Sequence, residues 1–254
     1  MKDTTLIIVP VLNEVGNIYP LIKKINKNLK VKKKEILFID DNSTDGTRSK
    51  ILELSKNHKY IRLIKRKKKL GIGSAHKDAL KWGFKKKYKI IITMDCDGTH
   101  DPIYINSMIK ILQKENFSIV STNRFLNKNA LRDWTLWRKF LTSLRHNLIK
   151  FLLRMKYDSS GAFRAYLTEK INLKDIQLAK NNSYSFFWES AFILSKKYKI
   201  KEIPIFLPGR NSGSSKMRIK DILSAFLYLI YFTFIGRFKI WFCLIPVQQY
   251  IYFF

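Results

Sequence analysis

The stretch Lys89-Ile90-Ile91-Ile92-Thr93-Met94-Asp95-Cys96-Asp97-Gly98-Thr99-His100-Asp101-Pro102 decides how the chain folds. It opens as a β-branched apolar run, passes through two carboxylates spaced i and i+2, and ends on a proline that starts a helical pattern. A buried strand that empties into a polar loop and then a helix is the repeating unit of an α/β sheet. Open sheets of that kind bind ligands at the carboxyl ends of their strands.

Working outward, similar runs predict strands over residues 4–9, 35–40, 61–64, 89–95 and 118–122. Helical patterns over 16–29, 47–57, 73–86 and 102–114 separate them, with Ile18, Leu21, Ile22, Ile25 and Leu29 at helical spacing in the first. The alternation calls for a mainly parallel sheet covered by helices. Two other strand exits are polar as well: Pro10-Val11-Leu12-Asn13-Glu14 and Ile39-Asp40-Asp41-Asn42-Ser43-Thr44-Asp45-Gly46-Thr47. Asp and Asn there can hydrogen-bond a base or ribose hydroxyls, while Thr44 or Asp45 caps the next helix. Asp95 and Asp97 can share one hard divalent cation and leave positions for diphosphate oxygens, although the same tripeptide also makes ordinary turns. Three polar strand ends thus point at one rim.

Composition narrows the partners. Among 254 residues, 49 Lys and Arg against 19 Asp and Glu give a net charge of +30, so the surface seeks nucleic acid, an acidic membrane face or phosphorylated substrates. A hydrophobic content of 46% excludes wholesale disorder. The lysines are spread over nearly every helix rather than gathered on one face between aromatics, which argues against a nucleic-acid module. Cys96 and Cys243 lie far apart and suggest neither a disulfide framework nor a zinc site. The apolar run that ends at Pro10 is too short for a secretory signal, and a reducing cytosolic compartment is expected. His58, His76, His100 and His146 show no metal-ligand spacing; His100 is expected to support the Asp-X-Asp loop.

Beyond residue 125 the pattern changes. Residues 131–155 read as one long helix, with Trp134, Trp137, Phe140, Leu141, Leu144, Leu148, Phe151 and Leu152 at spacings of three and four. Arg138, Lys139, Arg145, Lys150 and Arg154 fill other positions. Such a stripe either lies on a membrane surface or packs on the sheet. From Ile222 to Phe254 the only charges are Arg237 and Lys239, which divide the tail into two runs, each shorter than the roughly 20 residues of a spanning helix. Helices in the membrane interface, or one tilted span over 222–244, are the two expectations. The tail stops abruptly at Phe253-Phe254, as in a chain shortened from something longer. The expected organisation is a catalytic domain over 1–217, donor-binding to 125 and acceptor-binding from 126, followed by a membrane-associated tail over 218–254.

Taken in order, Pro-Val-Leu-Asn-Glu, Asp-Asp-Asn-Ser-Thr-Asp-Gly-Thr, Gly71-Ile72-Gly73-Ser74-Ala75 and Asp-Cys-Asp resemble the inverting glycosyltransferase family 2, with its Rossmann-like GT-A nucleotide-sugar fold. Ser160-Gly161-Ala162-Phe163-Arg164 and Arg210-Asn211-Ser212-Gly213-Ser214-Ser215-Lys216-Met217 are similar to later motifs of its dolichyl or polyprenyl phosphate mannose synthase branch. The resemblance implies that Pro10, Leu12, Glu14 and Asp41 line the nucleoside pocket. It implies that Asp95 and Asp97, with Thr99 as a third ligand, hold Mg²⁺ or Mn²⁺ against the diphosphate, with Cys96 offering backbone contact. Arg124 would reach the acceptor or donor phosphate, and Arg210 and Lys216 would close over the diphosphate. The implied partners are a GDP- or UDP-hexose donor, a polyprenyl phosphate acceptor and the cytoplasmic face of a membrane, with no nucleic acid. Two positions depart from the family pattern: Leu12 stands where Tyr is usual, which removes a ring that could stack on the base, and Thr99 stands where Gln is usual.

Acceptor chemistry agrees with that branch on separate grounds. Transfer to a sugar hydroxyl needs a general base. A phosphate monoester is already anionic at neutral pH and needs only positioning and charge neutralisation. The carboxylate that could serve as base is Glu189, in Phe186-Phe187-Trp188-Glu189; if essential, it would mark transfer to a glycan or lipid hydroxyl in surface polysaccharide synthesis instead.

Overall fold

The structure, a computed structural model, describes residues 1–31, 33–158, 161–209 and 219–236. Seven strands form one sheet: β1 (Lys2–Val11), β2 (Lys34–Asp40), β3 (Ile61–Lys65), β4 (Tyr88–Thr93), β5 (Ile119–Asn123), β6 (Arg164–Leu167) and β7 (Ile200–Pro204), in the spatial order β3-β2-β1-β4-β6-β5-β7. All pairings are parallel except those of β6, which runs antiparallel to both β4 and β5. The five strands expected from sequence are present, although β4 ends at Thr93, so Asp95 sits in the loop rather than on the strand. Strands β6 and β7 escaped the sequence reading because one is four residues long and opens on an arginine, while the other carries two adjacent charges, Lys201 and Glu202, and ends on a proline.

The period-two alternation of β1 divides the core. Ile7 and Val9 face α1 (Val15–Asn28), α2 (Thr47–Asn57) and α4 (Tyr104–Lys114). Leu6 and Ile8 face α3 (Ile72–Lys85), α6 (Leu173–Gln177) and α7 (Ser185–Ser195). Each fully buried Ile, Leu or Phe in these layers contributes about 1.5–3 kcal/mol of transfer free energy. Helix α7 is buried on all sides from Ser185 to Leu194. Arg164 of β6 ties it to the sheet by donating to the Phe187 carbonyl at 2.6 Å, to Ser190 Oγ at 2.9 Å and to the Gly161 carbonyl at 2.9 Å.

The long helix is shorter than its sequence pattern. Helix α5 (Leu136–Leu153) starts five residues after Leu131, where Thr135 Oγ1 accepts the Arg138 N–H at 3.3 Å. Leu131 and Trp134 instead lie partly buried against the core layer on the α1, α2 and α4 side of the sheet. Of the two alternatives for the apolar stripe, packing on the sheet applies only in part, to Trp134, Leu148 and Leu152, which lie partly buried against the core. Ile149 and Leu153 are the buried apolar residues of α5, whereas Leu136, Trp137, Phe140, Leu141, Leu144 and Phe151 face outward, Leu136 at 82% exposure and Phe151 at 80%. Arg145 and His146 lie on the half-buried side. The helix is amphipathic inside out.

In the tail, α8 (Ile219–Tyr231) runs into a π-helical turn, Phe232–Gly236. Among the described residues no helix is long and apolar enough to cross a membrane, so the tilted span over 222–244 finds no support there. Leu229 and Phe232 are buried against Trp188 and Phe192 of α7, while Leu223, Phe226, Leu227, Phe234 and Ile235 are exposed. Arg237, Lys239 and Cys243 lie outside the described residues.

Candidate active site

The exits of β1 and β2 are laced together. Asn13, at φ 55°, donates its N–H to Ser43 Oγ at 2.9 Å and accepts the Thr44 N–H at 2.8 Å. Glu14 N–H donates to Thr47 Oγ1 at 2.8 Å, and Val15 N–H to Asp45 at 3.1 Å. Asp45 also accepts from the Thr47 N–H at 3.0 Å, so it caps α2 from one residue before the formal cap and holds the first turn of α1 as well. Burial pushes its carboxyl up, and the hydrogen bonds from Thr47 and Val15 outweigh that and hold it below the usual range. Pro10 and Leu12 lie half-buried on the same exit, and the Glu14 carboxylate accepts from Asn17 Nδ2 at 2.6 Å.

Asp41 is buried and anchors the next loop. Its carboxylate accepts the N–H groups of Leu70 and Gly71 at 2.9 Å each and Arg66 Nη1 at 2.9 Å. Arg66 reaches on to Ser74 and to Asp78, the latter at 2.6 Å. The sequence reading passed over Arg66 because it adjoins the lysine run at 67–69; the available signal was its place directly after a strand that neighbours β2. Gly71 carries φ +96°, and a Cβ there would stand 2.4 Å from the Asn182 carbonyl oxygen. A Cβ on Gly73 would stand 2.6 Å from Phe186 Cβ. The glycines therefore admit a close approach of α3 to residues 182–186, which is their reason for being there.

The Asp-X-Asp loop is shaped by its own residues. Asp97 is buried and accepts from the Thr99 N–H at 3.1 Å and from Thr99 Oγ1 at 2.6 Å. Asp95 is the more open of the two, its side chain 32% exposed. The Asp95 N–H donates to His100 Nδ1 at 2.9 Å, and the same nitrogen stands 3.6 Å from Asp95 Oδ2. His100 thus supports the loop, as expected from sequence. Cys96 is buried between the two carboxylates. Burial pushes its thiol well up, and the charges of Glu14, Asp97 and Asp95 push it further, so the exits of β1 and β4 meet in one acidic locus.

That locus offers hard oxygen donors at a strand's carboxyl end, which fits a divalent cation such as Mg²⁺ or Mn²⁺. Among the described residues no group of three or more His, Cys, Asp or Glu that could hold a metal ion is found. Thr99 turns its hydroxyl proton to Asp97 and keeps oxygen lone pairs.

Arg124 opens the 3₁₀ turn that follows β5 and pairs with the buried Asp158, through Nε at 2.9 Å and its backbone N–H at 3.2 Å. Burial pushes the Arg145 guanidinium of α5 down to about 10, and the like charge of Arg124 adds to that against the attraction of Asp158. His146 stacks on Phe125 with ring centroids 3.8 Å apart. Arg124 thus holds Asp158 directly, and Arg145 of α5 lies near enough to feel both charges. Arg210 and Lys216 lie outside the described residues.

Glu189 does not open onto the rim. It is 1% exposed and accepts from the Lys180 N–H at 2.8 Å, the Asn181 N–H at 2.9 Å and Tyr228 Oη at 2.9 Å.

Over 224 residues, 87% of this chain and 83% of its relative, the sequence is 25% identical to the polyprenol monophosphomannose synthase of Mycolicibacterium smegmatis. It is 24% identical to the undecaprenyl-phosphate mannosyltransferase of Micrococcus luteus, over 84% of this chain and 86% of that one. The fold is similar to glucosyl-3-phosphoglycerate synthase of Mycobacterium tuberculosis, solved with Mn²⁺, UDP and glucosyl-3-phosphoglycerate, at a TM-score of 0.62 and 16% identity over 92% of this chain and 79% of that chain. The profile of Glycosyl transferase family 2 matches residues 6–172, and the chain, a glycosyltransferase of GT-A fold, belongs to that family.

Proposed function

We propose that the enzyme transfers a hexose, with inversion at the anomeric carbon, from a nucleoside diphosphate sugar to a polyprenyl phosphate at the cytoplasmic face of a membrane. A phosphate oxygen of the acceptor forms the new bond to the anomeric carbon as the bond to the donor diphosphate breaks. The observation that carries this reading is that Arg124, paired with the buried Asp158, and Arg145, near enough to feel both charges, lie beside a helix, α5, whose outer face is apolar. An anionic head on an apolar tail matches both halves of that surface. The names of the two relatives favour mannose as the sugar and polyprenyl phosphate as the acceptor.

Roles follow from position. Pro10, Leu12, Glu14 and Asp41 line the nucleoside side of the rim, where Asp41 shapes the loop at residues 70–71. Asp95 and Asp97, with Thr99 beside them, would hold Mg²⁺ or Mn²⁺, which when bound neutralises charge on the departing diphosphate. Arg124 orients the acceptor phosphate; Arg210 and Lys216, outside the described residues, are assigned by their sequence motif alone to supply further cations to the phosphates. The enclosed, triply hydrogen-bonded Glu189 favours a phosphate acceptor, which needs no general base, over a hydroxyl.

The test is to incubate purified protein and Mn²⁺ with radiolabelled nucleotide sugars and short polyprenyl phosphates, then extract lipid. Label in the lipid phase only when the acceptor carries its phosphate is the expected result. Equal transfer to the free polyprenol or to a glycan would overturn the reading.

A further inference from the structure

The carboxylate of Glu189 joins two parts of the molecule that sequence keeps apart. On one side Tyr228 of α8 donates to Oε1 at 2.9 Å, and the Tyr228 ring lies on Trp188 with centroids 5.6 Å apart. On the other side the N–H groups of Lys180 and Asn181 complete its shell. Lys77 of α3 grips the same loop, donating to the carbonyls of Ala179 at 3.3 Å and Lys180 at 3.1 Å. One residue further on, the Asn182 carbonyl accepts the Ser74 N–H at 3.1 Å and lies against Gly71. Gly71 N–H in turn donates to Asp41 at 2.9 Å. Hydrogen bonds therefore run from α8 through Glu189 and residues 180–182 to the glycine corner and Asp41. A helix interior is an expensive place for a carboxylate unless all its donors are in place.

We propose that Glu189 is a positioning residue: it converts the seating of α8 on α7 into the geometry of the Gly71 corner, and thereby into affinity for the donor nucleotide. The exposed apolar residues of α8, Leu223, Phe226 and Leu227, point away from α7, so a lipid surface that takes them up also presses Tyr228 toward the carboxylate. Donor binding and membrane attachment are thereby linked, and each strengthens the other. The link rests on the reading of the Asp41 rim as the nucleoside pocket.

Tyr228→Phe keeps the ring against Trp188 and removes only the O–H donor; Glu189→Gln keeps the shape and replaces one acceptor by a donor. The experiment follows amide hydrogen exchange in the full chain and titrates UDP and GDP in the presence of Mn²⁺, with and without vesicles containing anionic lipid. The expected result for both variants is faster exchange at residues 70–75 and 179–183, unchanged exchange at 15–28, and nucleotide affinity lowered about three- to tenfold, the equivalent of one hydrogen bond. In turnover assays the donor KM rises by that factor while kcat holds. Loss of protection confined to 219–231 would overturn the link, and so would uniform loosening that includes 15–28. If neither nucleotide binds the unaltered protein, the reading of the rim as a nucleoside pocket fails, and the exchange pattern alone still decides whether Glu189 couples α8 to the corner.

Discussion

The strand rim and the outer face of α5 and α8 solve opposite problems with the same chain. At the rim, Asn13, Asp41, Asp45 and Arg66 are held by hydrogen bonds to neighbouring strand exits and Asp97 by Thr99 of its own loop, so these polar groups are positioned before any substrate arrives. On α5 and α8 many outward residues are large and apolar, Trp137, Phe140, Leu144, Phe226 and Leu227 among them, while Arg145 and His146 of α5 turn inward. A rigid polar site and an apolar surface awaiting cover are what an enzyme needs to join a water-soluble donor to a lipid acceptor. If that division holds, changes at the rim act on turnover, and changes on the outer face act on where the protein sits.

The largest expected effect tests the rim. Asp97→Asn keeps an oxygen in place for Thr99 and removes the charge. Turnover should fall by about a hundredfold or more, as when a main source of charge stabilisation is lost, with the melting temperature unchanged. Chelation by EDTA should do the same to the unaltered protein. Full lipid-linked product in EDTA, or in this variant, breaks the assignment of the acidic locus.

The rim was the part most legible in sequence, and the reason is physical. Strand exits in a parallel sheet repeat one pattern, a buried run and then Asp, Asn, Ser or Gly, so Asp41, Asp95 and Asp97 announced themselves. What stayed hidden was partnership across long separations. Nothing local marks Arg66 as the counter-ion of Asp41, Asp158 as the anchor of Arg124, or Glu189 as the acceptor for Tyr228, because each pairing is made by topology. The inversion of α5 was hidden for a related reason: periodicity shows that a helix has an apolar face and not which way that face turns. Strand β6 was missed because its pairing with β4 and β5 stabilises four residues whose composition, led by Arg164, gives little strand signal.

A pair of substitutions on α5 sharpens the contrast between its two sides. Ile149, 2% exposed, packs beneath the helix, and Ile149→Ala should cost about 2–4 kcal/mol in denaturant unfolding through the cavity it leaves. Leu144 and Phe140 face outward, and converting both to Glu should leave unfolding within about 0.5 kcal/mol while binding to anionic vesicles falls roughly tenfold or more. The inside-out assignment is wrong if the order is reversed, with the Glu pair unfolding the protein and Ile149→Ala merely weakening vesicle binding.

The smallest effect, counted per pH unit, asks whether the layer under the rim is as closed as its hydrogen bonds suggest. His76 lies in α3, 1% exposed, with Phe186 and Phe187 against its ring and its Nε2 without a hydrogen-bond partner among the described residues. Burial, followed by the charges of Arg164 and His100, lowers its pKa to about 3. Unfolded, the same imidazole takes a proton near pH 6.5. Below that pH the unfolded chain binds a proton that the folded one refuses, so stability falls as pH drops from 6.5 toward 3 and is unaffected by this group above 6.5. The slope approaches about 1.4 kcal/mol per pH unit. Glu189 and Glu202 work the other way just above pH 4.5, because burial raises their carboxyls and the folded state keeps protons that the unfolded state has released. Comparing the unaltered protein with His76→Leu removes those contributions, since both proteins retain the two glutamates. Urea unfolding at intervals between pH 7 and 4 should show the variant's stability changing less with acid than the parent's, whatever its absolute value. Parallel curves would mean that water reaches His76 and that the layer between α3 and α7 is open.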